Sequence, residues 1–171
     1  MSDAPITPER PKSHACHERP VRHTKSFMRP TEIADAWFEM CRTGDVDRLS
    51  ELATDDYVCH GPGGAGDRAE FAEWLRWYPA AFADQQPDLQ DLIASDDRIV
   101  VRYVVRSTYR GGYLDLPGAG QRVQETGIMI FRLSGDKVAE SWFESNDLEV
   151  AQQLGGEIRT PERTPHPAAP D

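Results

Sequence analysis

The chain has 171 residues, enough for one domain with tails, and carries 19 Lys and Arg against 29 Asp and Glu, a net charge of −10. That acidic balance excludes a general binder of nucleic acid or of anionic membranes, and no run of residues approaches the ~18 apolar positions that a spanning helix needs. Three cysteines in unrelated contexts, Cys16, Cys41 and Cys59, predict free thiols and a cytoplasmic location rather than a disulfide framework.

Residues 1–29 are rich in Pro, His, Arg and Ser and have no periodic apolar pattern, which predicts a disordered or loosely docked basic tail. His14, Cys16, His17 and His23 lie close together in it, but their spacing fits no common zinc pattern. The N-terminus also lacks the apolar stretch of a secretion signal. A first helix is predicted from Pro30-Thr31, with Thr31 as its cap and Ile33, Trp37, Met40 and Cys41 on one face. Gly44 stands where a glycine stop belongs, and Asp45 opens a short second helix. Residues 56–60 read as a brief strand, and the GPGGAG that follows as a flexible loop without the Lys-Ser/Thr ending of a phosphate cradle. Asp67 and Glu70 have capping-box spacing ahead of a third helix. Its stripe is Phe71, Trp74, Leu75, Tyr78 and Phe82, and Pro79 predicts a kink or an early end.

A strand is predicted over 88–94 and a turn at Asp96-Asp97. The longest strand follows over 98–109, with Ile99, Val101, Tyr103, Val105 and Ser107 on one face and Val100, Arg102, Val104 and Arg106 on the other. The arginine face is expected to meet solvent or a partner subunit. Residues 111–121 read as a glycine-hinged loop that could lean over a pocket mouth. Residues 123–146 form an apolar hairpin around Ser134-Gly135-Asp136, and Asp147 to Leu154 a short helix before Gly155-Gly156. Residues 30–156 are thus one α+β domain, and 157–171 a proline-rich tail.

In order and spacing, GDVDRLSELATDDYVCHGPGG, the aromatic helix, DRIVVRYVVRSTYRGGYLDLPGAGQRVQETGIMIFRLSGDKVAESW and LEVAQQLGG resemble the SnoaL-like polyketide cyclases of the nuclear-transport-factor-2-like superfamily. The resemblance runs from about Ile33 to Gly156. It implies an α+β cone: a strongly curved mixed or antiparallel sheet with helices on its concave face, enclosing an apolar cavity. It also implies a homodimer and no metal or organic cofactor. Members that close polyketide rings are expected to aim an acidic residue into the cavity from the last strand, directly after the position of Trp142. This chain has Phe143 there, and Met129 fills the polar slot on the preceding strand. The Asp-Arg-Asp set of the related limonene-epoxide hydrolases is absent as well.

With that carboxylate missing, His60 and Tyr103 are the remaining catalytic candidates. A histidine can take and give a proton near neutral pH, and a tyrosine hydroxyl can hold a carbonyl or enolate oxygen. Each also has a plain structural reading, as a side chain satisfied by a neighbour. Trp37, Trp74, Tyr78, Met129 and Phe143 are the expected walls for a small apolar or polyketide-like ligand. The leading reading is a cyclase or isomerase that works mainly by positioning its substrate. A non-catalytic ligand-binding or accessory protein stays open, as does a hydratase or epoxide hydrolase with His60 activating water.

Overall fold

A computed structural model describes residues 28–157 and 159. The readings made for residues 1–27, including the His14–His23 cluster and Cys16, and for nearly all of 157–171 lie outside the described residues. The first helix, α1, spans Pro30–Thr43. Its cap is Arg29 rather than Thr31, because Pro30 takes the first helical position, where its missing N–H costs nothing. Glu32 closes the box by accepting from the Arg29 backbone N–H at 2.7 Å. Gly44 ends α1 in the left-handed conformation, φ 69°, donating back to the Met40 carbonyl. Asp45 caps α2, Val46–Leu52, through the Arg48 N–H. The Asp67 carboxylate accepts from the N–H groups of Ala69 and Glu70 and so fixes the start of α3, Arg68–Ala81. Pro79 does not end that helix early; it falls in the last turn.

Among the described residues six strands follow one sheet order, β2-β1-β6-β5-β4-β3. They are β1 Ala53–Gly61, β2 Gly64–Asp67, β3 Phe82–Ser95, β4 Arg98–Tyr109, β5 Arg122–Ser134 and β6 Lys137–Ser145. Beta1 and β6 run parallel, and the other pairings among the described residues are antiparallel. The stretch read as a GPGGAG loop is in part a strand, because Gly64–Asp67 folds back to pair with Val58–Gly61. A short helix, α4, Asp147–Gln153, packs on β5.

The expected strongly curved cone is corrected by this topology. The sheet is open: β2 and β3 are its two edges and do not pair. Bulges interrupt the register of β1, β3 and the β5–β6 ladder without bringing those edges together. Beta2 has only four residues and β3 carries Pro87, which has no N–H to offer another strand. What stands is a mixed α+β fold in which helices cover a sheet.

The two faces of β4 divide as its alternation predicts. Ile99, Val101, Tyr103 and Val105 are buried, while Arg102 and Arg106 are exposed. The buried face joins Trp37, Phe38, Leu49, Phe71 and Leu75 of the helices in one core with Phe131 of β5 and Val138 of β6. A second cluster gathers Tyr78, Phe82, Tyr109 and Val123 against Val150 and Leu154. The 111–121 loop packs Tyr113 and Leu116 on it, and the Tyr109 hydroxyl ties the loop down by donating to the Leu116 carbonyl at 2.8 Å. Among the described residues no helix is long and apolar enough to cross a membrane.

Candidate active site

Two connected hollows lie between the helices and the buried face of the sheet. The inner one, about 50 Å³, is lined by Trp37, Phe38, Cys41, Val105 and Met129 among others. The outer one, about 410 Å³, runs from the β1–β2 turn past Trp77 to Tyr113, Ser145 and Asp147. Cys59, Phe71, Trp74, Tyr78, Glu125 and Phe143 line both and therefore mark the passage between them. Of these six only Glu125 is acidic.

Glu125 reaches the passage by strand alternation. On β5, Val123, Glu125, Gly127, Met129 and Phe131 occupy every second position and share one side. Pairing sets Gly127 opposite Tyr103 and Glu125 opposite Val105 on β4. Beta6 ends its pairing at Ser145, opposite Gly127, so Glu125 stands just beyond the last rung of that ladder. Its two carboxylate oxygens are divided between two tyrosines. Tyr78 donates to Oε2 at 2.9 Å and Tyr103 to Oε1 at 3.0 Å. Tyr78 comes from α3, where Phe71, Trp74 and Tyr78 stack in file with ring centres 5.4 and 4.5 Å apart. Tyr103 is only 3% exposed, and Phe38 packs edge-on against its ring.

Gly127 makes the Tyr103 contact possible. A Cβ there would overlap the Tyr103 hydroxyl and Cζ and approach the Glu144 carbonyl oxygen at 2.6 Å. The ring lies over the bare backbone to reach the carboxylate two residues away. Gly127→Ala is expected to push the ring off Glu125 and to cost about 1–3 kcal/mol as overpacking, read by urea unfolding.

Burial pushes the Glu125 carboxyl above the usual carboxylate range. The hydrogen bonds from Tyr78 and Tyr103 pull it back, and the negative charge of Asp147 pushes it further up. Burial, then the adjacent Glu125 charge, raise both tyrosines, which keeps them protonated as donors. A carboxylate has about four acceptor positions, so two tyrosine hydroxyls leave room for a ligand proton. The site thus holds an acid–base group of elevated pKa, fixed at both oxygens, where an apolar chamber opens to a larger one.

The expected wall residues Trp37, Trp74, Tyr78, Met129 and Phe143 all line the inner chamber, as does Tyr103. The Phe143 ring lies across Gly61, and Glu144, one residue on, is exposed. His60 is placed elsewhere. It pairs with Trp142 across β1 and β6, and its ring stacks on that indole 5.1 Å away at 4°. Its Nε2 lies 2.8 Å from Glu140 Oε1, and Glu140 also accepts from Arg132 Nε at 2.8 Å. Arg98 sits over the other ring, Trp142, at 5.4 Å. This cluster belongs to the sheet face opposite the helices, and His60 lines neither hollow. Its neighbour Cys59 faces inward, as does Tyr57 two residues earlier. No motif in the sequence marks Glu125, although strand alternation, counted two back from Met129 and two more, places it on the inward side.

The family profile of the SnoaL-like polyketide cyclases matches residues 31–154. The fold resembles IdmH of Streptomyces antibioticus, described as a polyketide cyclase, at 25% identity and a TM-score of 0.67, over 75% of this chain and 99% of that one. A protein from Acidithiobacillus ferrooxidans with the same description is 26% identical at a TM-score of 0.67, over 74% of this chain and 94% of its own. AclR of Streptomyces galilaeus, described as a hydroxylase, shares the fold at 23% identity and a TM-score of 0.65, over 78% and 91% of the two chains. No curated protein matches the sequence.

Proposed function

Because the chain belongs to the SnoaL-like polyketide cyclase family, we propose that it closes or isomerises a polyketide-like substrate with Glu125 as its acid–base group. The observation that carries this reading is the two-tyrosine clamp on a carboxylate at the junction of the two hollows. In this reading the role that the sequence suggested for His60 passes to Glu125, and Tyr103 keeps a supporting one. The acid missing at Phe143 is replaced from the neighbouring strand.

The chemistry follows from position. The outer hollow holds the body of a flexible apolar ligand against the Phe71–Trp74–Tyr78 stack. Glu125, ionised, removes a proton from a carbon next to a carbonyl, and the C–H electron pair moves onto the carbonyl oxygen as an enolate. For ring closure the enolate carbon attacks a second carbonyl of the same chain, and the new alkoxide recovers the proton from Glu125. For isomerisation the proton returns at another carbon. Both are balanced and use one group as base and then acid. Holding the two reacting carbons together supplies up to ~7–11 kcal/mol of the barrier reduction. No cofactor takes part.

Deuterium wash-in tests the reading. With 2-tetralone as a small keto probe in D2O, the protein is expected to exchange the protons next to the carbonyl above the buffer rate. Binding without added exchange favours the accessory-protein alternative, and incorporation of labelled water oxygen into a product favours the hydrolase one. A homodimer acting in the cytoplasm belongs to the same proposal. The open sheet face exposes Ile93 and Ile128, at 68% and 48%, near the arginine–aspartate pair Arg102–Asp91, and burying them predicts a sedimenting mass twice that of the chain. Free, buried Cys41 and Cys59 suit a reducing compartment.

A further inference from the structure

Gly61 ends β1 and pairs with Gly64 of β2. The Phe143 ring lies against its bare backbone. A Cβ on Gly61 would overlap ring atoms Cζ and Cε1 and stand 3.2 Å from Cε2. The backbone itself does not require glycine there, since the φ of Gly61 lies outside the left-handed region. At Gly63, in the same turn, a Cβ would meet nothing within 4 Å. The space that a side chain would fill at Gly61 is thus taken by one ring, that of Phe143.

Strand pairing brings the two together. His60 lies opposite Trp142 on the parallel strands β1 and β6, so Gly61 and Phe143 are the next neighbours along. Phe143 lines both hollows, so the lie of its ring sets the width of the passage between them. The sheet backbone is behind the ring, and Met129 is beside it on β5. The helix side of the passage is a file of stacked rings, Phe71, Trp74 and Tyr78, with interplanar angles of 15° and 17°. Trp37 stacks on Phe71 in turn, so that wall is held from behind. A Phe143 ring pushed off Gly61 has only the hollows to move into. We infer that Gly61 is a specificity-determining residue: by giving Phe143 bare backbone to lie on, it sets the widest ring system that reaches Glu125. The inference rests on the proposed reading of Glu125 and deepens it, adding the residue that decides which ligands arrive there. Gly61 acts through Phe143 and touches no reacting atom.

The test compares a two-ring ketone, 2-tetralone, with a one-ring ketone, cyclohexanone, by NMR titration of the 15N-labelled protein. Gly61→Ala is expected to weaken 2-tetralone by about tenfold more than cyclohexanone, the cost of one extra carbon in a fitted space. Gly63→Ala, on the same turn, controls for stiffening of the turn and is expected to leave the ratio of the two affinities where it was. Gly61→Ala combined with Phe143→Leu is expected to recover 2-tetralone binding, because leucine lacks the ring atoms that the new methyl group strikes. A general strain in the turn would not be relieved that way. If Gly61→Ala alone fails to fold, the double variant is compared with Phe143→Leu, and equal ratios are expected. A ratio unmoved by Gly61→Ala, a loss that Phe143→Leu does not restore, unequal ratios in that last comparison, or a wild-type protein that does not bind 2-tetralone overturns the inference. Deuterium exchange into the same ketones separates the two readings. If exchange is absent while the ratio follows Gly61 as described, the Glu125 reading falls and the Gly61 role stands. If exchange occurs and the ratio ignores Gly61, the reverse holds.

Discussion

Glu125→Gln is expected to reduce carbon-proton exchange and turnover by about 10²–10⁴-fold, the usual contribution of a positioned acid–base group. The amide keeps the size of the side chain and still accepts from one tyrosine, so the cavity is retained while the proton acceptor goes. The same substitution has an opposite effect on stability. The folded-state pKa of Glu125 is raised by burial, so between the unfolded and folded values the native protein binds more protons than the unfolded chain. Stability then falls as pH rises through that window, from about pH 4.3 upward, and stays at the lower level above it. Glu125→Gln lacks that loss. Urea unfolding at several pH values is expected to show the variant gaining on the wild type as pH rises from 4 to 7. A variant that is both inactive and less stable at pH 7 than at pH 4, relative to wild type, contradicts the burial argument. A variant that is fully active contradicts the catalytic one.

Removing the clamp is the second large expectation. Each tyrosine hydroxyl lowers the Glu125 pKa, while burial and Asp147 raise it. Tyr78→Phe and Tyr103→Phe each take away one stabilising bond to the carboxylate, so the pKa moves further up and less of the base is ionised at a given pH. The acid limb of the pH–rate profile is expected to move to higher pH, with about a tenfold fall in rate per unit of displacement on that limb. Each variant also loses about 1 kcal/mol of stability with its hydrogen bond. The two substitutions share one acceptor, so the double variant is expected to depart from additivity. A limb that stays put or moves to lower pH shows that the hydroxyls do not govern the carboxyl.

Much of the scaffold was written in local chemistry. Asp67 with Glu70, Gly44, Asp45 and the alternation of β4 each depend on neighbours within a few residues, and each stands where its pattern points. Openness of the sheet is a different kind of property. It depends on whether β2 and β3, distant in sequence, find each other, and the features that blunt those edges, the shortness of β2 and Pro87 in β3, lie in stretches whose strand character the local pattern does not predict. The site divides the same way. Phe143, Met129 and Tyr103 are inward by alternation. Glu125 obeys the same alternation, but the resemblance points to the position of Phe143 for the family's acid and carries no signal for an acid on β5. His60 is a catalytic candidate by residue type alone. Its buried neighbour Cys59 puts it on the outer face, since adjacent strand residues point opposite ways. Tyr78 joins the clamp only through the packing of α3 over β5, a contact between segments 47 residues apart.

A substrate need not be known to test whether a raised carboxyl sits at the passage. The measurement is the pH titration of the Glu125 side-chain carboxyl by 13C NMR in glutamate-labelled protein, with Glu125→Gln to identify the signal. The expected midpoint lies above the ordinary glutamate range and climbs further in Tyr78→Phe. A midpoint at or below that range, unmoved by loss of the tyrosine hydroxyl, would mean that the carboxyl is solvated and unclamped, and the account of this cavity as an acid–base site would be contradicted.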